Sequence, residues 1–87
     1  MGIRRRVGGI TIFAAAGEPG LSRVAFVAGR AAGSAVRRNR ARRRLREALR
    51  RIPLRAGRDY VVTAAGSVVD APFETVVSWA QTALAEE

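Results

Sequence analysis

The sequence contains neither cysteine nor histidine. Those two absences exclude a disulfide framework, Cys/His zinc sites, and nucleophilic chemistry of the Cys–His or Ser–His kind. Lysine is missing as well, so all 16 basic residues are arginine. A GC-rich genome produces the same bias, which makes the placement of the charge more informative than its type. No apolar run approaches the roughly 20 residues that span a bilayer, and the N-terminal MGIRRRVGG lacks the apolar segment of a signal peptide. A cytoplasmic protein with no membrane partner is expected. Acids are few, seven in 87 residues, and four of them fall at expected turn, cap or tail positions. An autonomous nuclease needs clustered carboxylates around metal ions, or a general base. Glu47 sits among arginines, a setting that suits an ion-pair partner and not a general acid. No catalytic residue and no metal or cofactor bound by the protein itself is expected.

What the sequence does have is arginine, concentrated in Ser34 to Arg51, SAVRRNRARRRLREALRR, where nine of eighteen residues are arginine against one glutamate. Arg, Leu and Ala are strong helix formers and no Gly or Pro interrupts the stretch. Ser34 can cap the N-terminus, and Pro53 forces a stop after Ile52. At helical spacing, Ala41, Leu45, Ala48, Leu49 and Ile52 gather into one apolar stripe. Asn39, Arg43, Arg46 and Arg50 fall opposite, widened by Arg40, Arg42 and Arg51. Glu47 can pair with Arg43 and Arg51 four residues away, worth about 0.3 kcal/mol each, which neutralises little. A solvated helix face usually mixes both signs, whereas this one is almost purely arginine. The guanidinium's planar fork fits phosphate and stacks on bases, so the helix is expected to bind nucleic acid.

Charge is segregated along the whole chain. Residues 1–58 carry 16 arginines and two acids, net +14, while residues 59–87 carry five acids and no base, net −5. A polyanionic partner on one side of the fold follows. At 87 residues, one small domain spanning 1–87 with two layers of secondary structure is expected.

In chain order, Met1 to Gly9 is short and basic, and reads as a frayed start or a phosphate contact through Arg4, Arg5 and Arg6. Val7 to Ala15 reads as a strand, Gly17-Glu18-Pro19-Gly20 as a turn, and Ser22 to Ala28 as a second strand. These two strands are expected to form an antiparallel hairpin. Val24 and Phe26 face one way, and Arg23, Ala25 and Val27 the other. Gly29 to Gly33 either lets Arg30 and the backbone approach a phosphate or serves as linker. Tyr60 to Ala65 reads as a third strand, parallel to the second because a helix lies between them. Gly66 to Asp70 returns the chain, and Asp70 is placed to cap a last helix with Phe73, Val76, Val77, Ala80 and Leu84 on its core side. Trp79 lies off that stripe, over a sheet edge or partly exposed. Single-stranded RNA is the favoured ligand, because Phe13, Phe26 and Tyr60 could stack bases beside the basic helix. For Phe26, core packing is the stronger expectation.

Gly33-Ser34-Ala35-Val36-Arg37-Arg38-Asn39-Arg40, continuing through Ala41-Arg42-Arg43-Arg44 to Leu45-Arg46-Glu47, resembles the signature of the bacterial ribonuclease P protein subunit. Phe26-Val27-Ala28-Gly29-Arg30 and Gly57-Arg58-Asp59-Tyr60-Val61-Val62 resemble that family's flanking strands. The resemblance implies an α+β, two-layer sandwich of the kind shared with a ribosomal protein domain. A small mixed sheet would carry a central arginine-rich helix, a left-handed β-α-β crossover and a C-terminal helix. It implies that the catalyst is an RNA with bound Mg²⁺, that ribonuclease P RNA and precursor tRNA are the partners, and that the protein is a monomer in the holoenzyme. Arg30, Arg38, Asn39, Arg40, Arg42, Arg43 and Arg46 would contact RNA, joined by Arg50 from the helix phase. Phe13 loosely matches a strand aromatic of the cleft that takes the 5′ leader. The family normally opens with a helix that walls this cleft, and this sequence begins where that helix should have ended. Either the start lies upstream, or the cleft lacks a wall and apolar sheet surface is left uncovered. Ala41 replaces a usually larger aliphatic residue and Ala31 a frequent basic one. The alternatives are a ribosomal or general RNA-binding protein without a role in cleavage, and a degenerate copy that has lost function.

Overall fold

Alternating apolar residues build the centre of this protein. Ile10, Ile12 and Ala14 on one strand and Tyr60, Val62 and Ala64 on another are all buried on the same face of a sheet. The structure, a computed structural model, describes residues 2–85; Glu86 and Glu87, counted above among the acids, lie outside the described residues. Its elements are β1 (Ile3–Val7), β2 (Ile10–Ala16), β3 (Ser22–Ala28), a 3-10 turn (Arg30–Ala32), α1 (Ala35–Leu49), β4 (Arg58–Ala64), α2 (Ser67–Asp70) and α3 (Phe73–Ala85). The four strands lie in the order β1-β2-β4-β3. Helices α1 and α3 cover one face, α1 over β3 and β4, and α3 over β1 and β2. The result is the expected mixed α+β architecture.

Two expectations about the sheet need correction. The first is the hairpin between the second and third strands. β4 lies between them, antiparallel to β2 and parallel to β3. The connection from Gly17 to Leu21 is long enough to straddle one strand, since next-nearest strands stand only about 10 Å apart. Gly57, just before β4, donates to the Leu21 carbonyl at 2.6 Å and accepts from Gly17 N–H at 2.8 Å. The loop thereby grips the start of the intruding strand from both sides. The parallel pairing of β3 with β4 is as expected.

The second is the N-terminal segment, which is an ordered edge strand. β1 pairs with β2 from Ile3 opposite Ala14 to Val7 opposite Ile10, joined by a two-residue Gly8-Gly9 turn. Gly8 has φ +56°, and a Cβ there would meet the Trp79 indole at 2.1 Å. Trp79 is half-buried against this turn, which is what an indole off the α3 core stripe finds to cover. A Gly-Gly pair between strand-length segments was a readable hairpin signal. Three successive arginines hid it, although charge is common on edge strands.

The helix phase is as the periodicity requires. Ala41, Leu45, Ala48 and Leu49 are buried, with Ile52 partly so. Ser34 caps α1, its hydroxyl accepting from Arg37 N–H at 3.3 Å. The helix ends at Leu49, three residues before Ile52. Residues Ser67–Asp70, expected as a return loop, form a helical turn. Asp70 does not cap the last helix; its carboxylate goes to Arg37 instead.

Candidate nucleic-acid interface

The arginines of α1, with Arg50 and Arg51 just past its end, divide into three rows around a buried stripe. Arg37, Arg44 and Arg51 recur every seven residues, about two turns, and line the flank facing α2 and α3. All three are engaged there. Arg37 pairs with Asp70 at 2.9 Å and Arg51 with Glu74 at 3.0 Å. Arg44 donates to the Ala71 carbonyl. The guanidiniums of Arg44 and Arg51 also stand over the Phe73 ring, 5.8 and 4.9 Å from its centre. Arg51, expected on the nucleic-acid side, is therefore spent on tertiary packing.

The opposite flank carries Arg38, Arg42 and Arg46. Arg46 lies over Phe26 at 5.5 Å, a cation–π contact between helix and edge strand. Arg42 donates to the Asn39 side-chain oxygen. Between the flanks, the outermost row holds Val36, Asn39, Arg40, Arg43, Glu47 and Arg50. Val36, Asn39, Arg40, Arg42, Arg43 and Arg46 surround an open groove of about 470 Å³. Glu47 pairs with Arg50 at 3.2 Å, not with Arg43 or Arg51 as expected. That pairing leaves Arg40, Arg43 and Arg46 as the cationic centre of the groove. Arg30 is exposed on the 3-10 turn that precedes the helix.

The segregation of charge along the chain does not survive folding intact. Asp59, Asp70 and Glu74, from the acidic half, each pair with an arginine of the basic half. Arg23 reaches both Asp59 oxygens at 2.9 Å, which holds that carboxyl below the ordinary carboxylate range. The Arg37 hydrogen bonds depress the Asp70 carboxyl likewise, helped by the nearby charges of Arg37, Arg40 and Arg44. Among the described residues no group of three or more acidic side chains gathers that could hold a metal ion. Nor is any helix among them long and apolar enough to cross a membrane.

The three strand aromatics part company. Tyr60 is buried, its hydroxyl accepting from Arg55 N–H at 3.2 Å, and cannot stack a base. Phe26 packs on the core side under Arg46. Phe13 is 45% exposed on the face opposite α1 and α3, with the Arg4 guanidinium 5.5 Å from its ring centre. The register puts Arg4, Phe13, Val61 and Ala25 in one row across that face, beside a row of Arg6, Thr11, Thr63 and Val27. Phe13 thus belongs to a second surface, with the sheet between it and the arginine helix.

The sequence and the fold both recur in known proteins. The family model described as Ribonuclease P matches residues 2–86. The ribonuclease P protein component of Bartonella quintana is 44% identical over 64 residues, covering 70% of this chain and 48% of that protein. That of Symbiobacterium thermophilum is 52% identical over 60 residues, covering 67% of this chain and 50% of that one. The chain therefore spans about half the length of these relatives. The solved structure of the RNase P protein from Thermotoga maritima superposes with a TM-score of 0.85 at 25% identity, over 99% of this chain and 84% of that one. A match along nearly the whole described chain, in sequence and in fold, places this protein in the ribonuclease P protein family.

Proposed function

We propose that this chain is the protein subunit of ribonuclease P, a monomer that supports 5′ maturation of tRNA by binding the catalytic RNA and precursor tRNA. The observation that carries this reading is the outer face of α1. Arg40, Arg43 and Arg46 surround a groove from which the neighbouring acids have been withdrawn, Glu47 to Arg50 and Asp70 to Arg37. Such a surface offers phosphates charge and forked donors without a competing carboxylate. Arg30, Arg38, Asn39 and Arg42 extend it toward the helix start and β3, while Arg50 serves at its end as partner of Glu47. The uncovered sheet face suits a single strand: Phe13 provides a stacking ring and Arg4 and Arg6 provide charge. On this reading it takes the 5′ leader. Metal chemistry, on the same reading, belongs to Mg²⁺ ions held by the RNA.

The test is multiple-turnover cleavage of a precursor tRNA by a bacterial ribonuclease P RNA at low Mg²⁺, with and without the chain. Stimulation is expected. Tight RNA binding without stimulation would instead make this a general RNA-binding protein with no part in cleavage.

A further inference from the structure

Arg37 turns away from the groove and folds back over the start of its own helix. Its Nε donates to the Ala32 carbonyl at 3.0 Å, and its two terminal nitrogens donate to Asp70 Oδ1 and Oδ2 at 3.1 and 2.9 Å. One of these also reaches the Gly66 carbonyl at 3.5 Å. A single guanidinium thereby joins the 3-10 turn, the first turn of α1, and α2. Gly33 makes room for it: a Cβ there, at φ +108°, would meet Arg37 Cδ and Nε at 2.9 Å. A Cβ on Gly66 would crowd the Ala31 carbonyl oxygen of the 3-10 turn at 3.2 Å. Arg30 projects from the turn so held, two residues before the carbonyl that Arg37 grips.

We propose that Arg37 and Asp70 are positioning residues whose pairing fixes the Arg30 turn against the first turn of α1. Arg30, Arg38, Asn39 and Arg40 then meet an RNA backbone as one preformed surface. The inference rests on the reading that this face binds RNA. An exposed ion pair contributes little to global stability. Its consequence here is placement: ordering a glycine-flanked turn before binding removes that ordering cost from the association.

Two effects of Asp70 on RNA affinity have opposite signs, and that separates them. As a bare charge near phosphates Asp70 repels RNA, so its neutralisation should tighten binding. As a positioning residue, its neutralisation should weaken binding. The experiment measures the Kd for a bacterial ribonuclease P RNA at fixed salt for Asp70→Asn, Asp70→Glu and Glu74→Gln, each with and without Arg30→Ala, and for Arg43→Ala. Asp70→Asn is expected to weaken binding about three- to fivefold, the scale of one misplaced charge-assisted contact. Asp70→Glu should recover most of that loss. Glu74→Gln removes a charge from the far end of the same seam and should leave affinity unchanged or tighter. Arg30→Ala should cost less with Asp70→Asn than without it, because the two act through one turn.

Tighter binding by Asp70→Asn, or an Arg30→Ala cost that simply adds to it, overturns the proposal. If Asp70→Asn melts below the assay temperature, Arg37→Lys replaces it, keeping the charge, losing the bidentate geometry, and carrying the same expected loss. Weakening by Arg43→Ala with a flat Asp70 series defeats the positioning role alone. No effect of Arg43→Ala and Arg30→Ala defeats the RNA reading of this face and the positioning role with it.

Discussion

Arg43 and Arg44 are neighbours in the chain with opposite fates, and truncating each to alanine should show it. Arg43 is exposed on the outer row and lines the groove, with no hydrogen bond or ion pair to it among the described residues. Arg43→Ala should leave the melting temperature within about 2 °C of the parent, since alanine is also the better helix former. It should weaken RNA binding by about 1 kcal/mol, roughly fivefold, and reduce the slope of log K against log salt by about one. Arg44 is half-buried, donates to the Ala71 carbonyl and stands over Phe73. Losing that hydrogen bond and the cation–π contact costs about 2–3 kcal/mol. Against this stands the Arg44 Nε, buried without a hydrogen-bond partner, a burden of about 1 kcal/mol that truncation removes. The net loss is about 1–2 kcal/mol, which lowers the melting temperature of a chain this size by roughly 5–15 °C. Melts followed by far-UV circular dichroism, paired with RNA titrations at several salt concentrations, measure both variants. Equal thermal losses for Arg43→Ala and Arg44→Ala would refute the division of α1 into a binding row and a packing row. So would a larger loss of RNA affinity for Arg44→Ala.

Gly8→Ala should destabilise by about 2 kcal/mol or more, because it combines a positive φ with a Cβ driven into Trp79. Urea midpoints measure it, and a change below about 0.5 kcal/mol would mean that the indole simply moves aside. Acid should loosen the fold through Asp59 and Asp70, whose carboxyls lie below the ordinary 3.8 because Arg23 and Arg37 hydrogen-bond their ionised forms. Their stabilising contribution is complete above the ordinary value and is lost as pH falls through the lowered ones. Melts from about pH 6 down to about pH 2 should show a shallower acid limb for the Asp59→Asn/Asp70→Asn double variant, and parallel limbs would remove these pairs from the account.

Much of the candidate site was legible because its determinants are local. The α1 core stripe follows from 3.6-residue periodicity, its start from the Ser34 cap, and its exposed outer row from the arginines opposite the apolar residues. The family likewise is written in a contiguous motif from Gly33 to Glu47. A helical wheel, however, is symmetric about its core stripe. Arg37, Arg44 and Arg51 on one flank and Arg38, Arg42 and Arg46 on the other are equivalent until a neighbour arrives. Only the packing of α2 and α3 against the first flank decided which arginines would bind Asp70, Ala71 and Glu74 and which would be left facing the groove.

The sheet divides in the same way. Alternation in the sequence determined that Ile10, Ile12 and Ala14 share a face that excludes Phe13. It also determined that Tyr60 and Val62 share a face that excludes Val61. It could not say which face the helices would cover, so Phe13 and Tyr60 looked alike as stacking rings. The position of β4 between β2 and β3 was equally out of reach. Strand order depends on which backbone edges meet, and those pairings join residues some fifty positions apart that no local pattern connects. The sequence by itself determined α1 with its core stripe, the strands β2, β3 and β4 to within a few residues, the last helix and the family. Tertiary structure alone decided which flank and which sheet face stay open, because each choice is made by a partner distant in the chain.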